Sequence, residues 1–156
     1  MMRKTLIVFF VAFVAIQFVR PAKQTAADLN TSQDLFAQHS PPEHVRQTLT
    51  NACYDCHSNQ TRYPWYAKIQ PAAWFLEQHV EEGKHALNFS EFGKLSVKRA
   101  RKKLENCIDA VSEHEMPLAS YTLIHHDARL TETQIKDFVA WAEEEIRRSE
   151  TALAED

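Results

Sequence analysis

Apolar residues dominate the start of the chain, where a run from Leu6 to Val19 is interrupted only by Gln17 and is preceded by basic residues. A run of this kind behind a basic N-terminus is typical of a secretion signal or a signal anchor. No small-residue cleavage site follows directly, and Thr25-Ala26-Ala27 is a weak one further on. We therefore predict that residues 1–22 are retained as an anchor, with a cleaved signal peptide as the alternative.

Either alternative places the rest of the chain outside the cytoplasm. We predict a location in the bacterial periplasm, with tethering to the inner membrane by the uncleaved N-terminal helix. Residues 23–39 have the polar composition of a linker, residues 40–148 suit one folded domain, and residues 149–156 form an acidic tail that we expect to be frayed.

Within the predicted domain, apolar residues recur every three or four positions, which is the spacing of amphipathic helices. Ser40 has the chemistry of an N-cap, so a helix is predicted from Pro42 to about Ala52. Pro71 opens the next predicted helix, which ends near Gly83.

Two later helices complete the predicted fold. One starts at Ser96 and carries Cys107 on its apolar stripe, where we expect a small core residue. The last begins at the capping box Thr131-Glu132-Thr133-Gln134, with Trp141 at the flank of its stripe.

The composition agrees with an all-α fold. Only 2 of the 156 residues are glycine, which argues against a sheet protein rich in glycine turns. The net charge of −3 is mild and gives no argument for a nucleic-acid partner, so none is predicted.

The segment Cys53-Tyr54-Asp55-Cys56-His57 carries the most specific chemistry in the chain. Its Cys-x-x-Cys-His spacing is that of a covalent haem c attachment site. One helical turn presents both thiols to the vinyl groups at one porphyrin edge, and the following histidine lies under the iron. We therefore predict one covalent haem c, with His57 as the proximal iron ligand.

Two other chemistries use closely spaced cysteines. A structural zinc site needs four ligands, usually as two close pairs, and Cys107 has no nearby paired ligand. A thioredoxin-like redox pair requires a βαβ pattern, which the sequence does not have. Haem is the preferred interpretation.

A distal iron ligand is predicted on the loop between the last two helices. Met116 is followed by Pro117, which stiffens the loop, and a thioether ligand raises the reduction potential. Tyr121 is expected to donate a hydrogen bond to that sulfur. Histidines are the rival distal ligands: His79, His85, His114, His125 and His126.

Aromatic residues follow the cysteine motif closely. Trp65 and Tyr66 are predicted to form a wall against the haem, with ordinary core packing as the alternative. Pro64 or a neighbouring carbonyl is expected to hold the Nδ1 proton of His57.

The helix that starts at Ser96 also carries a basic face. Such a face is usually just solvated, and the alternative is a docking patch for an acidic redox partner or anionic lipid. The basic residues of this face are Lys98, Arg99, Arg101, Lys102 and Lys103.

From Pro42 to Trp141 the chain resembles the small bacterial haem-binding domain family, and more widely cytochrome c. Besides the cysteine motif, the resemblance rests on three segments: Ser58-Asn59-Gln60-Thr61, Pro64-Trp65-Tyr66 and Leu87-Asn88-Phe89-Ser90. It implies an all-α cytochrome c-like fold with one haem, a proximal His57 and a distal Met116. The glycine and aromatic pair usual in the first cytochrome c helix is absent.

Taken together, these features predict a membrane-tethered, monohaem electron carrier that exchanges single electrons with a redox partner protein and has no substrate of its own. A peroxidase-like enzyme or a gas or redox sensor is the alternative, which needs an openable distal site and acid–base groups such as His114 or His125 near the iron. A zinc module is the third hypothesis.

Overall fold

The computed structural model describes residues 2–21 and 31–155. Within these ranges the chain is helical and contains no β-strand, which confirms the predicted all-α class. The weak cleavage site Thr25-Ala26-Ala27 and residues 23–30 of the predicted linker lie outside the described residues, whereas α2 lies within the rest of the linker. The α-helices are α1 (Met2–Ile16), α2 (Leu35–His39), α3 (Glu43–Ala52), α4 (Tyr54–His57), α5 (Ala72–Ala86), α6 (Val97–Ser112), α7 (Ala119–Thr122) and α8 (Glu132–Glu155).

The predicted N-terminal apolar run forms α1, which has no buried residue. Across residues 2–21 and 31–155, no helix combines the length and apolar character needed to cross a membrane.

The core lies where α8 packs against α6 and α3, with α4 held between α3 and α5. Leu49 of α3, Leu104 of α6 and Phe138 of α8 are at most 4% exposed. Burial of a side chain of this size stabilises the fold by about 1.5–3 kcal/mol. Trp141, predicted at the flank of α8, belongs to this buried core.

The start of α3 differs from the prediction. Ser40 is the C-cap of α2 and lies in the left-handed region with φ 43°, while Pro42 is the N-cap of α3. The cause is the Pro41-Pro42 pair, because a proline disfavours helical dihedral angles in the residue before it. The helix therefore begins only at Glu43.

Two predicted helix ends are also corrected. Helix α5 continues past Gly83 to Ala86, because Gly83 is a position of close packing against Cys56 and not a helix terminator. Helix α8 continues to Glu155, so the acidic tail predicted to be frayed from residue 149 is helical up to that residue. The capping box at the start of α8 is confirmed, since Thr131 Oγ1 accepts from the Gln134 backbone N–H and Gln134 Oε1 accepts from the Thr131 N–H.

Candidate haem site

The Cys-x-x-Cys-His segment forms a turn of its own at the end of α3. Cys53 is the residue between α3 and α4, and the backbone N–H of His57 donates to the Cys53 carbonyl at 2.9 Å. Within this turn Tyr54 is buried and its hydroxyl donates to Asp34 at 2.9 Å. The structure thus places the two thiols and the imidazole on one helical turn, as the sequence predicted.

The orientation of His57 is set by a backbone carbonyl. Its Nδ1 lies 3.1 Å from the Leu87 oxygen, just beyond the end of α5. The expectation that Pro64 or a neighbouring carbonyl holds this nitrogen is therefore wrong. A protonated Nδ1 that donates to Leu87 leaves Nε2 with its lone pair available to a metal. Burial lowers the pKa of His57, which favours this neutral form.

A cavity of about 220 Å³, here called the His57 cavity, brings together Cys53, His57 and Met116. His57 and Met116, which are 59 residues apart in the chain, thus line the same cavity. The other residues that line the His57 cavity are Leu49, Ala52, Ala86, Leu87, Phe89, Lys103, Asn106, Cys107, Ala110, Val111, Pro117 and Phe138. Most are apolar, so the cavity suits a large apolar group better than a charged one.

The five rival histidines lie outside the described lining of the His57 cavity. His114 is exposed and its Nε2 lies 4.0 Å from Glu132, while His125 Nε2 lies 2.8 Å from the Tyr66 hydroxyl oxygen. His79 lines a different cavity, and His85 and His126 are exposed. Met116 is the predicted distal ligand that the structure brings to the cavity of His57.

A second cavity of about 230 Å³, here called the Cys56 cavity, contains the other thiol of the cysteine turn in its lining. It is lined by Cys56 together with Trp65, Tyr66 and Tyr121. The aromatic wall predicted after the motif therefore faces the second thiol. Trp65 stands at its edge and is 73% exposed.

Tyr121 has a different partner from the one predicted. Its hydroxyl donates to Asp55 Oδ2 at 2.8 Å, and not to the sulfur of Met116. The same carboxylate accepts from Nε and Nη2 of Arg62 at 3.0 and 3.1 Å. Asp55 thereby ties the cysteine turn to α7, the helix that follows the Met116 loop.

Sequence reasoning missed the role of Asp55, although a signal was present. Asp55 is an acidic residue inside the Cys-x-x-Cys turn, and a carboxylate that is buried next to a cofactor site needs hydrogen-bonding or charged partners. Arg62, seven residues later, is the arginine or lysine nearest to Asp55 in the sequence and was therefore the best candidate for an ion-pair partner.

The basic face of α6 is partly occupied by contacts within the protein. Lys103 Nζ donates to the Ala86 carbonyl at 2.6 Å and lines the His57 cavity. Arg101 pairs with Glu150 at 3.0 Å, and Lys102 lies 3.3 Å from Glu105. The remaining two residues of the face, Lys98 and Arg99, are exposed.

The donor chemistry of the site fits a haem. Burial raises the pKa of the Cys53 thiol far above its ordinary value and that of Cys56 to about 11, so both are neutral thiols at pH 7. Within residues 2–21 and 31–155, no three His, Cys, Asp or Glu side chains come together as a metal-ion site, which is what the zinc hypothesis required. An imidazole, a thioether and a mostly apolar lining are instead the groups that hold a haem.

Comparison with known protein families identifies the family to which the chain belongs. The model of the family described as "haem-binding domain" matches residues 11–144, so the chain belongs to that family. The resemblance predicted from the sequence is thereby confirmed. Neither the curated proteins nor the solved structures include a significant match to this chain.

Proposed function

We propose that this member of the haem-binding domain family is a monohaem c-type cytochrome that carries single electrons. The observation that supports this proposal most strongly is the meeting of Cys53, His57 and Met116 in one mostly apolar cavity. When bound, the haem supplies a reversible Fe(III)/Fe(II) couple.

Each residue of the site has a defined task in this proposal. Cys53 and Cys56 hold the haem through thioether bonds, and His57 is the proximal ligand, oriented by the Leu87 carbonyl. Met116 is the distal ligand, whose soft sulfur favours the ferrous state and raises the potential. The apolar lining excludes water and limits reorganisation between the two oxidation states.

Attachment through both thiols requires a porphyrin edge that reaches both cavities. Pro117 lines the His57 cavity and the next residue, Leu118, lines the Cys56 cavity. The two cavities are therefore neighbours across the cysteine turn and the Met116 loop. Trp65, Tyr66 and Tyr121 line the Cys56 cavity and would flank a haem held through Cys56.

The carrier is favoured over a peroxidase-like enzyme or a sensor by the position of the acid–base candidates. His114 is exposed, and His125 is engaged with Tyr66 outside the His57 cavity. General acid–base catalysis at a distal site needs such a group within hydrogen-bond reach of the bound substrate.

The location is part of the same proposal. Thioether attachment occurs on the exported side of a bacterial membrane, so we place the domain in the periplasm with α1 in contact with the membrane. All residues of α1 from Met2 to Ala15 are exposed, and most are apolar, as expected for a helix that meets lipid.

Replacement of Met116 tests the distal ligand. Met116→Ala should keep the haem attached but abolish the sulfur-to-iron charge-transfer band and lower the reduction potential. Leu123→Ala is the control, because Leu123 is an exposed apolar residue beyond the same loop. This variant should leave the charge-transfer band and the reduction potential unchanged. An unchanged spectrum and potential in Met116→Ala would exclude Met116 as the ligand.

Replacement of the cysteines tests the attachment. The double variant Cys53→Ser, Cys56→Ser should lose its haem on acid–acetone extraction, whereas Cys107→Ser should retain it. Retention of haem by the double variant would refute the thioether assignment.

A further inference from the structure

Helix α1 is fastened to the haem-binding domain by a specific junction. Gln17 Nε2 donates to the Gln70 carbonyl at 3.3 Å, and the Gln70 N–H donates back to Gln17 Oε1 at 2.9 Å. Gln70 Nε2 also donates to the Val19 carbonyl at 2.7 Å. Gln70 is only 2% exposed, so the end of α1 is attached to a buried point of the domain and not to a loose surface loop.

Exposed apolar side chains surround this junction on the domain. Trp65, Phe75 and Ile124 line the Cys56 cavity and are 73%, 55% and 59% exposed. Ile69 directly precedes Gln70, and the exposed Leu123 directly precedes Ile124. We call this set the apolar rim: Trp65, Ile69, Trp74, Phe75, Leu123 and Ile124.

A haem in the Cys56 cavity would cover part of Trp65, Phe75 and Ile124, but the exposed Ile69, Trp74 and Leu123 lie outside the lining of that cavity and need another explanation. Single exposed apolar residues are ordinary, but contiguous ones mark an interaction site. Elsewhere in residues 31–151, the exposed large apolar residues are Val97 and Met116. The rim is therefore concentrated on the side of the domain where α1 is attached.

We propose that the apolar rim docks on the surface of an anionic phospholipid bilayer, beside α1. The rim is continuous with α1 through Gln70, so a membrane that receives the helix lies next to the rim. Trp and Phe side chains favour the region between acyl chains and headgroups. Exposed Lys68, between Trp65 and Ile69, and exposed Arg20, after Val19, supply positive charge for anionic headgroups.

This docking gives the domain a fixed orientation. The mouth of the Cys56 cavity, whose edge is formed by rim residues, faces the bilayer. The inference rests on the membrane tethering proposed above.

Photocrosslinking to lipid tests the docking. The full-length holoprotein is reconstituted in vesicles of phosphatidylglycerol and phosphatidylcholine that contain a lipid with a photoactivatable group near its headgroup, and crosslinked peptides are mapped by mass spectrometry. We expect crosslinks on α1 and also on the peptides that carry Trp65, Phe75 and Leu123. Crosslinks confined to α1 would overturn the docking and leave the tether intact, whereas their absence from α1 would contradict the tether itself.

A matched pair of variants adds specificity. Leu123→Glu places a charge on the rim, while Val97→Glu places one on an exposed apolar position away from it. The rim variant should lower the crosslinking yield of residues 61–78 and 119–129 several-fold, and the Val97 variant should not change it. Equal yields in the two variants would refute the rim as the contact surface.

Discussion

A single methyl group at Gly83 should loosen the contact between α5 and the cysteine turn. A Cβ atom built on Gly83 would lie 2.7 Å from the Cys56 carbonyl oxygen and 3.1 Å from its carbon. Both are backbone atoms of α4, which cannot rotate out of the way as a side chain can. Since ordinary contacts begin at 3.4 Å, the two helices must separate by about 0.7 Å.

The free-energy change follows from two opposing effects. Overpacking of this kind costs about 1–3 kcal/mol. Alanine is better than glycine in a helix interior by about 0.8–1 kcal/mol, which offsets part of that cost. The overpacking cost minus the gain in helix propensity ranges from about 0 to 2 kcal/mol. Because the obstructing atoms belong to the backbone, we take the upper half of this range and expect Gly83→Ala to lower the free energy of unfolding by about 1–2 kcal/mol.

Gly93→Ala is the matched control. Its Cβ would approach Gln33 Oε1 at 2.7 Å and Gln38 Cδ at 3.0 Å, and these are the far ends of flexible side chains. We expect a change below about 0.5 kcal/mol.

Urea unfolding of the haem-free and haem-bound forms measures both variants. A Gly83→Ala protein as stable as the wild type, or no less stable than Gly93→Ala, would refute the close approach of α5 to Cys56.

Three further predictions follow from the burial of His57 and from two hydrogen bonds. Burial lowers the pKa of His57 in the folded chain, so the unfolded chain takes up a proton first and the haem-free protein should lose stability as pH falls below about 6.5. Urea unfolding across this pH range should show that loss, and His57→Gln should remove the part that is due to His57. An identical dependence of stability on pH in the variant would contradict this prediction. Tyr121→Phe removes one hydrogen bond to Asp55 and should cost about 1 kcal/mol, with faster amide hydrogen exchange over residues 118–124, and unchanged exchange there would argue against the link. Thr131→Val removes the hydroxyl that caps the Gln134 N–H and should lower the free energy of unfolding by about 1 kcal/mol, measured by urea; a change near zero would show that the cap is not needed.

Periodicity and local chemistry allowed most of the fold to be predicted. The stripe of α5, with Ala73, Leu76 and Val80, is buried as expected, and the capping box marks the start of α8. These features depend on residues close together in the chain, whose side-chain types carry the information.

The contacts that complete the site could not be predicted in the same way. His57 is oriented by the carbonyl of Leu87, and every residue type offers a carbonyl, so no side chain at that position signals the role. The bond from Tyr121 to Asp55 joins positions 66 residues apart and depends on tertiary packing. At Ser40 a favourable N-cap residue was overruled by the two prolines that follow it.

The intact mass of the denatured full-length protein, purified from cells that supply haem-attachment machinery, tests the central claim most directly. The proposal predicts an increment of one haem on the polypeptide mass, together with the absorption bands of a thioether-linked haem in the reduced protein. A polypeptide of unmodified mass and without colour would contradict it.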